Sequence, residues 1–165
     1  MPNWIEGTMK LKGDFDDIKR FIKEGIEPHA IIDMQEGGLL ETKSKEPFIN
    51  IDIDNDNYFY AEFTNDPYIK DSMRAFVQEG YVEFSRGDIA CLNIRQAWSW
   101  VSSNSEKRWK DLATKYNLTI KLFGVEKGAE FVEEVIVYPN TEKWIHNTIE
   151  YEDWDWECPF PKMGG

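Results

Sequence analysis

The chain has 165 residues, 41% of them apolar and 15% aromatic, which is material for one domain with a buried core and no staples. Nineteen Lys and Arg against 31 Asp and Glu leave a net charge of −12. That charge repels nucleic-acid backbones and anionic membranes, and favours a basic protein surface as partner. Two widely spaced cysteines, Cys91 and Cys158, make no disulfide framework and predict reduced thiols. No segment nears the roughly 20 apolar residues of a membrane span. Met1-Pro2-Asn3-Trp4 has neither the basic nor the apolar region of a leader, so a cytoplasmic protein is expected.

Residues 4–12 alternate, with Ile5, Met9 and Leu11 on one side, and predict a strand. Asp14 is placed to cap a helix in which Phe15, Ile18, Phe21 and Ile22 share a face until Gly25 ends it. Residues 27–46 read as an exposed loop around a short apolar piece at 30–34. Residues 47–54 and 58–63 have strand composition and meet at Asn55-Asp56-Asn57, a hairpin signal. Asn65-Asp66-Pro67 predicts the start of a short helix ending before Gly80. Strands follow at 81–84 and 89–94, about a turn at Arg86-Gly87-Asp88. A serine-rich turn at 102–105 then opens a helix over 105–116, with Trp109, Leu112, Ala113 and Tyr116 as its apolar stripe. Strands at 118–125, 130–138 and 143–151 complete the pattern. The short links demand antiparallel pairing. The expected fold is α+β: one domain over 1–165, a mostly antiparallel sheet with two main helices on one face, and an acidic, aromatic segment at 150–165.

Candidate chemistry is sparse. Asp52, Asp54 and Asp56 imitate the start of a calcium loop, but Asn57 stands where the turn glycine belongs and Phe63 where the bidentate Glu belongs. They read as solvent-facing acids on a strand end. His29, His146, Cys91 and Cys158 lack any ligand spacing for zinc, and no other metal or cofactor is expected. Cys91 lies within an apolar strand, where a thiol is usually inert packing; Cys158 sits among acids and prolines, the wrong surroundings for a reactive thiolate. Glu36-Gly37-Gly38 lacks the flanking strand and helix of a phosphate loop. Only Glu126, before Lys127-Gly128, has a context suggesting a desolvated carboxylate. No catalytic constellation emerges.

Charge is more informative. Residues 95–121 hold six bases and two acids, whereas residues 126–157 hold ten acids and two bases. Near the C-terminus Glu150, Glu152, Asp153, Asp155 and Glu157 interleave with Tyr151, Trp154 and Trp156. Aromatic rings anchor interfaces and acids steer basic partners, so this segment is the expected partner-binding site. An ordinary edge strand, wet on one face and packed on the other, gives the same pattern.

The opening Met1-Pro2-Asn3-Trp4, followed by a strand, Gly13 and an amphipathic helix, resembles the YubB-like ferredoxin-like family of phage- and plasmid-encoded proteins. The likeness continues at Gln96-Ala97-Trp98-Ser99, at the helix ending Lys115-Tyr116, and at Glu126-Lys127-Gly128-Ala129-Glu130-Phe131. The resemblance implies a ferredoxin-like core and a source in a mobile element, and implies no activity. The combined expectation is a non-enzymatic phage or mobile-element accessory protein in a bacterial cytoplasm. Its acidic face would mimic nucleic acid and inhibit a host nucleic-acid-binding defence protein, such as a CRISPR effector. Two alternatives stand beside it. One is a nucleic-acid-binding sheet using Tyr58, Phe59 and Tyr60 with Lys107, Arg108 and Lys110. The other is a small-molecule enzyme, which would place His29 or His146 buried beside an acid.

Overall fold

The computed structural model describes residues 3–35, 38–43, 47–102 and 104–159. Phe160, Pro161 and Gly164-Gly165 lie outside the described residues. Strand β1 (Trp4–Lys12) buries Ile5, Met9 and Leu11, as its alternation demands. Helix α1 (Phe15–Glu24) buries Phe15, Ile18, Phe21 and Ile22 and ends at Gly25. Asp14 holds the N-cap position through its carbonyl, which accepts from the Ile18 N–H; its side chain makes no capping bond.

After α1 the expectation fails twice. Instead of a loop, residues 27–46 contribute β2 (Ile26–Glu27) and a two-stranded hairpin of β3 (Ala30–Gln35) and β4 (Gly38–Lys43). The β-branched run Ile31-Ile32 favours strand, and the neighbouring Gly and Glu residues obscured it. The helix expected over 65–79 is absent. Asn65, Asp66, Asp71 and Arg74 all have positive φ, which breaks any helical run, and only β7 (Tyr68–Ile69) and β8 (Ala75–Val77) form between them. Between these two stretches, β5 (Ile49–Asp54) and β6 (Tyr58–Phe63) make the expected hairpin. The remaining elements fall close to expectation: β9 (Gly80–Ser85), β10 (Ala90–Ala97), α2 (Ser105–Tyr116), β11 (Thr119–Glu126), β12 (Phe131–Val137) and β13 (Trp144–Glu150). A single-turn helix, α3 (Trp154–Glu157), follows.

The main sheet runs β13-β12-β11-β1-β10-β8-β7-β2, antiparallel throughout. Within it the order β11-β1-β10-β8, with α1 after β1 and α2 after β10, is the arrangement of a ferredoxin-like core. Both helices pack on one face: Ile18, Phe21, Trp109 and Leu112 share a cluster with Ile5, Met9, Leu92 and Leu122, and Phe21 meets Tyr116 edge-on at 5.2 Å. Gly7 and Gly124 lie directly opposite each other on β1 and β11. A Cβ on Gly7 would overlap the Phe123 carbonyl, and one on Gly124 would come within 2.6 Å of the Trp100 ring. The bare Gly124 leaves a slot that the fully buried Trp100 occupies, and Gly7 lets the β11 backbone come close.

A smaller sheet, β5-β6-β9, packs Phe84 against Phe15 of α1, with Phe59 behind Phe84. A register shift between Ile51 and Ile53 sets Asp54 opposite Phe59, on the side facing α1. There Asp54, exposed as expected, pairs with Lys19 and Lys23 and ties β5 to α1. Those two ammonium groups hold its carboxyl below the ordinary 3.8. Opposite the helices, the main sheet has a second face that no helix covers among the described residues except at its β11–β12 end.

Candidate functional site

That end is where the acidic segment folds back. Trp154 is 8% exposed and packs with Cys158, Val125 and Val132, flanked by Phe123 and Tyr151. Tyr151 meets Trp154 edge-on at 5.8 Å. This ring is inside the fold, so it anchors the segment to its own sheet and is not a free anchor for a partner. Cys158 is buried with it, which removes it from surface thiol chemistry.

Asp153 and Glu157 divide the labour of the carboxylates. Asp153 accepts from the Trp156 N–H at 3.3 Å, capping α3. Glu157 reaches back to accept from the Glu152 and Asp153 N–H groups, at 3.0 and 3.4 Å. Both stay exposed while fixing the turn, as do Glu150, Glu152 and Asp155. The turn so held presents Trp156 outward, 86% exposed, the most exposed large apolar side chain among the described residues. Next to the segment, β13 shows Ile145 and Ile149 on the uncovered face, 40% and 48% exposed. A shallow groove of about 410 Å³ runs there, lined by Phe123, Val132, Glu134, Asn147, Thr148 and Ile149. Val132 is shared with the Trp154 cluster, so groove and acidic turn are continuous. Glu134 is tied to Lys121 at 2.8 Å, which lowers its carboxyl from the ordinary value.

The residues of the alternative readings are placed differently. Phe59 is fully buried and has no face for a base. Tyr58 donates to Glu83 at 2.6 Å and Tyr60 to Glu62 at 2.9 Å, which raises both phenols, Tyr60 to about 12. Acids beside those rings disfavour phosphate. Lys107 and Lys110 of α2 are engaged by Asp111 and Glu106. Cys91 is exposed on the uncovered sheet face, not packed as expected; partial burial still pushes its thiol above 9.0.

The enzymatic reading expects His29 or His146 buried beside an acid; His146 does sit beside one but is exposed. Its Nε2 lies 2.8 Å from Glu133, which is 2% exposed and also accepts from the Trp100 backbone N–H at 2.6 Å. Thr148 Oγ1 approaches the same Nε2 at 3.2 Å, and the ring stacks on Trp144 at 5.3 Å. A relay through an imidazole needs acid and nucleophile on opposite nitrogens. Here both crowd one nitrogen. Sequence reasoning missed Glu133, because nothing in its strand distinguishes it from Glu134; only the alternation placing Val132 and Glu134 on the far face could have turned Glu133 inward. His29 lies against Phe76 with the rings tilted, centroids 4.8 Å apart. Glu126, the other carboxylate noted in sequence, is buried and accepts from the Gly128 and Ala129 N–H groups, closing the β11–β12 turn. No cluster of metal-binding side chains occurs among the described residues.

Fold and site together define an α+β protein whose antiparallel sheet carries an anionic, tryptophan-tipped turn on the face opposite α1 and α2. No family model, curated protein or solved structure matches the chain.

Proposed function

We propose that this protein binds another protein through the acidic turn and the adjoining face of β13, without performing catalysis. The observation that supports this most is Trp156: an exposed indole on a turn braced from below by Trp154 and flanked in sequence by Glu150, Glu152, Asp153, Asp155 and Glu157. Burying such a ring in a partner is worth about 1.5–3 kcal/mol, and the acids speed encounter with a basic surface. The mobile-element setting, and a host nucleic-acid-binding defence protein as the target of acidic mimicry, belong to the same proposal and rest on the resemblance at Met1–Trp4 and residues 126–131.

The test is a pull-down from bacterial lysate with the whole chain and two variants that spare the capping acids: Trp156→Ala, and Glu152→Lys with Asp155→Lys. A partner recovered by the unaltered chain and lost with both variants supports the surface. One retained equally by all three refutes it.

A second, enzymatic reading would rest on the His146–Glu133 contact, although acid and hydroxyl there crowd one ring nitrogen instead of flanking the ring. His146→Ala would abolish any turnover that depends on it, whereas a purely structural contact leaves partner binding intact.

A further inference from the structure

β13 is the outer strand of the main sheet, and its seven residues pair without interruption to β12 on one side only. Among the described residues no backbone hydrogen bond reaches its outer side. A row of free N–H and C=O groups of that length is a template for another strand, and folded proteins normally blunt it. One other edge, β5, is blunted: it carries a register shift between Ile51 and Ile53 and the acids Asp52 and Asp54. β13 has neither device. It is regular, holds no proline, and bears a single charge, Glu150, at its last position.

We infer that the partner supplies an extended basic segment that adds to β13 as a further strand of the main sheet, its lysines or arginines lying beside Glu150, Glu152 and Asp155. The inference rests on the acidic face being the docking surface and states how that surface grips. Main-chain bonds along β13 would give affinity. Ile145 and Ile149, on the uncovered face, select apolar side chains at alternate positions of the incoming strand. The acids at the strand's end set polarity and charge preference. A second copy of the chain is the poorer occupant, since each copy carries −12.

The experiment titrates the whole isotopically labelled chain with a synthetic peptide of alternating lysine and valine, about nine residues long, the reach of one strand. A comparator has the same sequence with alternate backbone nitrogens methylated, so it keeps charge and side chains but cannot donate along one edge. Strand addition predicts that amide exchange in residues 144–150 slows about tenfold or more, and that the methylated peptide binds at least about tenfold more weakly. Glu152→Lys with Asp155→Lys weakens binding, yet at saturation the β13 protection returns. Equal binding by both peptides, with shifts confined to residues 150–157, overturns strand addition while the acidic docking face stands. Binding by neither peptide at low salt overturns both. Protection of β13 before any peptide is added, in a chain that sediments as a dimer, gives the edge to a second copy and also overturns the inference.

Discussion

Glu133 shows how one side chain fixes two elements. It lies under the β10–α2 connection, where its carboxylate takes the Trp100 N–H, and it reaches across to His146 on β13. Glu133→Ala strands a buried N–H and should lower stability by about 2–3 kcal/mol, while Glu133→Gln, which still accepts, loses about 1 kcal/mol; urea denaturation separates them. Asp54 gives a pH signature. Its folded carboxyl titrates below the ordinary 3.8 because Lys19 and Lys23 favour the charged form. The stabilisation is therefore complete above 3.8 and is lost as pH falls through the lowered folded value. Asp54→Asn should flatten that part of the acid limb in urea midpoints measured between about pH 2 and 6.

Among the elements, the glycine slot between β1 and β11 gives the sharpest expectation. Gly124→Ala puts a methyl group against Trp100 and the Glu6 carbonyl, a cost of about 1–3 kcal/mol. Adding Trp100→Leu should cost less in the Gly124→Ala background than alone, by about 1 kcal/mol, because part of the clash has gone. Thermal unfolding of the four chains closes that cycle. Elements with strict periodicity were legible in the sequence: the period of two in β1 and the stripes of α1 and α2 each match a buried face. The segment 65–79 was not, because its turn chemistry lies in left-handed Asn, Asp and Arg residues that a helix-start signature imitates. The hairpin at 30–43 was hidden because interspersed Gly and Glu break the alternation that marks a strand.

At the scale of the molecule, the sequence marked the acidic segment but not its two-sidedness. Trp154 and Trp156 stand two residues apart in like company, and composition cannot say which is buried. Only the hydrophobic patch left by Val125 and Val132 decides it, and those residues come together through the β11–β12 hairpin. The same logic applies to the polarity of the sheet: two helices fill one face, and the chain's own C-terminal turn covers a corner of the other. An unblunted outer strand also makes colloidal behaviour depend on long-range repulsion. As pH approaches about 4.6, where the composition balances its charges, that repulsion vanishes and β13 of one molecule can zip onto β13 of the next. Light scattering should rise steeply there, with thioflavin-positive, cross-strand stacks. Ile145→Lys, by planting a charge midway along the rim, should hold the solution clear.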